Sequence, residues 1–376
     1  IGASALPSVT SANSNISIGY QSLNALGTLG GGSVAIGFQA AFSNNLDVIT
    51  AVGYRALANN NVSGTGNTAF GYAAAQNNTS GSVDAFGTGA LAANTTGAGN
   101  VAFGNSALGT NLTGPYQVAI GAGALYTSKA GPNTAVGYQA MFDNNTGVNN
   151  VAIGNGAMRY NTGGYNNVAV GGSAMSANLN GIANTAVGHN SLLNVTNSYN
   201  TALGMYSGTN MSNSASNTAI GYAALYTQTT GGSNTAVGNA AGYTTNGNFN
   251  TYVGWAAGNL DAAVGSTFNT YIGGGSGNLM TTGNNNTILG PYSGNANGWD
   301  IRATNGNIVL SSNGQPSLGM TSTNGWYFSA NVYNSPMGTI TSGKGTSYLQ
   351  TSISGDTSIV DTGIYQSTPG VGYAIT

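Results

Sequence analysis

One short phrase, Asn-Thr-Ala-Val-Gly and its variants, returns along most of the chain at a nearly constant spacing, and that spacing limits the available folds more than any other feature. Taking its Gly as an anchor, the copies fall at Gly19, Gly37, Gly53, Gly71, Gly87, Gly104, Gly121, Gly137, Gly154, Gly171, Gly188, Gly204, Gly221, Gly238, Gly254, Gly273 and Gly290. The seventeen anchors span 271 residues in sixteen intervals, each between 16 and 19 residues long. A repeat of about 17 residues is too short for a pair of helices, and its Gly, Asn and Thr are poor helix formers.

The columns of the repeat have a strand's alternation. The residue before the Gly is always large and apolar, as in Ile36, Phe70, Val136 and Leu289, and the one before that is Ala in thirteen copies. Three before the Gly stands Thr or a β-branched aliphatic residue in every copy but one, where Asp84 intervenes, and four before it stands Asn in thirteen copies. One face of a short strand therefore carries Thr, Val and Ile and the other carries Ala. Three after the Gly only Ala or Ser occurs, from Ser22 to Ser293, which marks a tight contact. The column just after the Gly holds Tyr72, Asn105, His189, Trp255 and Pro291 and reads as solvent-facing. The remaining residues, such as Asn144-Asn145-Thr146-Gly147, read as a loop whose Gly and Asn accept turn conformations.

A strand this short cannot bury its apolar face alone, whereas stacked copies pair their backbones above and below and align identical side chains in ladders. The expected fold is all-β: a parallel β-roll or β-solenoid of about 17 repeats, roughly 75–80 Å long at about 4.8 Å per step, followed by a smaller β-rich tip. The boundaries read as a lead-in over 1–12, a shaft over 13–297 and a tip over 298–376. Most of the 62 Gly and 53 Asn among 376 residues, together close to a third of the chain, thus have fixed places in a repeat and do not signal disorder. The start at Ile1, with neither Met nor a leader-like segment, reads as a segment of a longer chain.

The unit Asn-(Thr/Val)-Ala-(Val/Ile)-Gly, as at Asn150 to Gly154 and Asn217 to Gly221, resembles the head repeat of YadA-like trimeric autotransporter adhesins. The phrase from Asn133 through Gly137, Tyr138, Gln139, Ala140 and Met141 is similar to repeats in the long tail fibres of bacteriophages. The resemblance covers roughly residues 13–296, with a repeat slightly longer than in YadA-type heads. It implies a left-handed β-roll assembled as a homotrimer, displayed on a virion or outside a cell, whose task is attachment. The expected partners are two further copies of itself, a host surface glycan or outer-membrane receptor, and other fibre or baseplate proteins. The region after 297 resembles the part of phage fibres ahead of a self-cleaving chaperone, whose opening Ser-Asp-x-Arg-Leu-Lys-like phrase this sequence lacks; that fits a matured fibre end and a truncation equally. The alternative setting is the head of a bacterial trimeric adhesin, and a tailspike depolymerase is the third.

Catalysis finds little to work with. Glycan hydrolysis needs paired carboxylates, yet the chain has no Glu and seven Asp (Asp47, Asp84, Asp143, Asp261, Asp300, Asp356 and Asp361), all isolated except the last two. His189 is the single His and sits in the variable column, Cys is absent, and no clustered metal ligands or phosphate loop with its Lys occur. No catalytic residue, cofactor or metal is expected. Five Lys and Arg form no patch, which excludes an electrostatic nucleic-acid binder, and no apolar run is long enough to insert into a bilayer. The residues singled out are structural glycines (Gly37, Gly53, Gly71, Gly104, Gly137, Gly154, Gly171, Gly188, Gly221 and Gly238) and candidate receptor-binding aromatics in the tip: Trp326, Tyr327, Tyr333, Tyr348, Tyr365 and Tyr373. Those aromatics suit sugars, whose apolar faces pack on rings, and suit the core of a trimeric tip as well.

Overall fold

Each repeat forms one coil of a parallel β-solenoid. The computed structural model describes residues 1–7, 14–25, 31–44, 48–60, 66–79, 81–260, 266–296, 298–321 and 326–328, and no α-helix occurs among them. The chain divides into two compact units, Ile1–Thr230 and Gly231–Thr376. In the first, thirteen short strands from Ile16–Ile18 to Thr218–Ile220 follow one another. Each pairs in parallel with the next in strict register: Val101, Ala102 and Phe103 face Val118, Ala119 and Ile120, and Thr201, Ala202 and Leu203 face Thr218, Ala219 and Ile220. In the second unit the strands Thr235–Val237, Thr251–Val253, Thr270–Ile272, Thr287–Leu289 and Ile308–Ser312 stack likewise. Gln315–Met320 and Trp326–Phe328 then continue as an antiparallel meander.

The strand alternation has a definite polarity. Ala of the strand points into the coil and is fully buried from Ala35 to Ala236, while its neighbours on either side point outward. The Ala or Ser three after the anchor and the Leu or Met four after it, such as Ala140 and Met141, fill the rest of the interior.

The anchor is Gly for two reasons. Gly137 has φ +134°, a region closed to L residues, and a Cβ there would lie 2.5 Å from the carbonyl oxygen of Gly154 in the next coil. Sixteen anchors, Gly19 to Gly273, share φ between +127° and +143°. After the Gly the chain alternates: the second and fourth residues adopt left-handed conformations even when they are Gln139 (φ +51°) and Met141 (φ +47°). This turns successive N–H groups in opposite directions. Gln139 N–H donates back to Ala122 O (2.9 Å), whereas Met141 N–H donates forward to Ala157 O (2.9 Å), so each coil is bonded on both sides.

Two columns of Asn run through the interior. Asn150 Oδ1 accepts from the backbone N–H of Asn167 (2.9 Å) while its Nδ2 donates to Gly164 O (2.8 Å), and the pattern repeats through Asn167, Asn184, Asn200 and Asn217. The second column includes the first Asn of the expected loop. Asn144, Asn161 and Asn178 are buried; Asn161 and Asn178 donate from Nδ2 to the Oδ1 before them (Asn161 to Asn144, 2.8 Å), Asn144 donates to Ser128 Oγ, and each also donates to a Gly carbonyl in its own turn. The sequence reads Asn144 as a turn-forming loop residue; in the coil the amides of this column satisfy buried backbone groups that would otherwise be orphaned.

The coils also extend beyond the counted repeats at both ends. Gly2 has φ +129°, a Cβ on it would meet Gly19, and Gly19 N–H donates to Ile1 O, so residues 1–6 stack on the coil that follows them. Asn307 continues the Asn column, with its N–H on Asn286 Oδ1 (2.9 Å), and Ile308–Leu310 pairs with Thr287–Leu289. The loss of period at 297 marks an insertion, the small hairpin Asn295–Ala296 with Trp299–Asp300, and not the end of the parallel ladder.

Candidate binding surfaces

Two outward faces of the coil differ in character. The strand face carries the residues one and three before the anchor. In the first unit its outer column runs Ile18, Ile36, Val52, Phe70, Phe86, Phe103, Ile120, Val136, Ile153, Val170, Val187, Leu203 and Ile220, apolar in every coil. Phe70 and Phe103 are more than half exposed, and Phe70, Phe86 and Phe103 stack on one another. The parallel column is Val or Thr apart from Ile16 and the exposed Asp84. The second unit has the same stripe in Val237, Val253, Ile272, Leu289 and Leu310.

The column after the anchor is polar in some coils and aromatic in others. Tyr20, Phe38, Tyr54 and Tyr72 are exposed and stack face to face, with centroids 5.4, 5.0 and 5.1 Å apart and planes within 17°. Beside them Gln39 Nε2 donates to Gln21 Oε1 (2.9 Å). Because each ring covers its neighbour's face, only edges are presented to solvent along most of this stack. His189 meets Tyr206 edge-on at 5.9 Å, and Tyr206 meets Tyr222 likewise at 6.0 Å. Trp255 differs. It is 65% exposed and has no ring partner among the described residues, and the following coil puts Gly274 in its column, where a Cβ would meet nothing within 4 Å.

Charged groups are sparse and scattered. Among the described residues no three His, Cys, Asp or Glu gather as a metal site would require, and no helix is long and apolar enough to cross a membrane. Asp300 and Arg302 form a two-bond ion pair (2.6 and 2.9 Å) beside the insertion hairpin, and the guanidinium holds the Asp300 carboxyl down at about 2. Arg159 instead lies over the Phe142 and Tyr160 rings, 6.0 and 5.1 Å from their centroids.

All ten structural glycines occupy the anchor position with left-handed φ. Of the candidate receptor-binding aromatics, Trp326 and Tyr327 lie in the last described strand, and Tyr333, Tyr348, Tyr365 and Tyr373 lie outside the described residues, as do Asp356 and Asp361. No family model, no curated protein and no solved structure matches the chain.

Proposed function

We propose that this chain is a structural and receptor-binding segment of a phage tail fibre: a homotrimer whose stacked coils form a shaft and whose C-terminal region, with the shaft, meets the host cell surface. The observation that carries the reading is the strand-face stripe. A column that is apolar in every coil yet partly or fully exposed along its whole length on one chain is the mark of a surface made to meet protein. Its in-register repetition suits a partner with the same repeat, which is another copy. The number three rests on the resemblance of the repeat to trimeric fibres and heads. The stripe is equally suited to the head of a bacterial trimeric adhesin, and the reading frame that follows separates the two: a self-cleaving chaperone phrase indicates the fibre, a coiled-coil stalk with a membrane-anchor barrel the adhesin.

The attachment role is non-enzymatic in this account, without cofactor or metal, and its setting is the virion exterior. It is tested by incubating labelled chain with whole bacterial cells. The account expects retention on cells, competition by their isolated surface polysaccharide or outer-membrane protein, and no release of reducing ends from that polysaccharide. Absence of retention on any strain overturns attachment, and sustained release of reducing ends overturns the non-enzymatic assignment.

A further inference from the structure

We infer that Trp255 is a stacking platform for a neutral hexopyranose, in a slot on the side of the coils. The inference deepens the attachment reading, on which its choice of ligand rests, and it places a glycan contact on the shaft and not in the tip. Along the ring stack of the same column, ring faces point at the neighbouring coils, since successive planes lie within 17° of parallel at about one coil spacing. An indole held in the same way would turn its faces toward the positions of Asn239 on one side and Gly274 on the other, and neither supplies a ring. The glycine leaves a step, and the next coil offers the exposed ring of Pro291. Two coil steps separate Trp255 from Pro291, about 9.6 Å, which accommodates one pyranose between them. The apolar face of a sugar packs on the indole and its hydroxyls meet amides at the rim. Asn239 provides an exposed amide. Charge selects the ligand class. Among the described residues of this unit the only charged side chains are Asp300 and Arg302, and they neutralise each other, so nothing is set to pair with a phosphorylated or acidic sugar.

The test uses the full chain on an array of neutral and acidic oligosaccharides, with affinities then measured by calorimetry for the neutral oligosaccharide that binds best. Trp255→Ala removes the platform. Gly274→Phe keeps it but lays a ring over it, as Phe38 lies on Tyr54, in a position where a side chain has open space. Tyr54→Ala, in the middle of the closed stack, is the control. The expected result is binding of a neutral glycan, weakened at least about tenfold by Trp255→Ala and by Gly274→Phe, unchanged by Tyr54→Ala, with all variants melting as the parent does. Equal binding by the parent and both slot variants overturns the site and leaves attachment standing. Binding of acidic glycans alone overturns the neutral class. A chain that binds neither glycans nor cells overturns the site together with the attachment reading.

Discussion

At the scale of single residues, the coil depends on positions where one residue type meets a constraint that others cannot. Gly137→Ala must leave a φ of +134° or drive a methyl against the next coil's carbonyl. It is expected to cost more than about 3 kcal/mol, read as a loss of midpoint in urea. Asn150→Ala strands the N–H of Asn167 in the interior and leaves the Gly164 carbonyl with the Asn161 amide alone. A loss of about 2–4 kcal/mol is expected, and a change below about 0.5 kcal/mol would remove the ladder from the account of stability. Val48 points the other way: it is exposed, β-branched and held at φ +55°, where later copies have Asn149 and Asn166. Val48→Asn should therefore raise stability by about 1 kcal/mol.

At the scale of the coil, the core is conserved in volume though not in the place from which it is filled. Most coils pair Ala in the strand with Leu or Met four after the anchor. Where Tyr252 and Tyr271 replace the Ala, that later position becomes Gly258 and Gly277, and a Cβ on either would run into the Tyr ring. Gly258→Leu alone and Tyr252→Ala alone should each destabilise by about 3 kcal/mol or more. The double substitution, which rebuilds the common coil, should recover more than half of the combined loss in a double-mutant cycle. The Asp300–Arg302 pair sets a pH dependence. Its depressed carboxyl contributes above the ordinary Asp range and is lost as pH falls through about 2, a small effect on so exposed a pair. Arg302→Ala should return the Asp300 carboxyl to near 3.9 in an NMR titration. The sequence disclosed the strand, its register and the anchor because the same residue types recur in phase. It did not disclose the coil at Asn307–Ser311, because Ser311 stands where a Gly is expected and 21 residues separate it from Gly290. Nor did it disclose that Asn144 is buried while Asn145 is not, since both are turn-forming residues and only the coil's cross-section distinguishes them. The Trp255 slot was equally hidden, because a ring's freedom depends on what the neighbouring coils place beside it.

For the molecule as a whole, the poverty of charge follows from stacking. Like charges in one column would face each other every 4.8 Å or so, and Asn, Thr and Ala ladders avoid that. The strand-face stripe is a feature a lone chain leaves unexplained. If copies cover it, placing a carboxylate there by Ile153→Asp should dissociate the assembly or lower its melting temperature far more than the change Asn155→Asp in the solvent-facing column. The most direct measurement is native mass spectrometry of the full chain at low micromolar concentration. The account predicts a single species at about three times the 37.2 kDa chain mass, and a species at 37.2 kDa alone would contradict it.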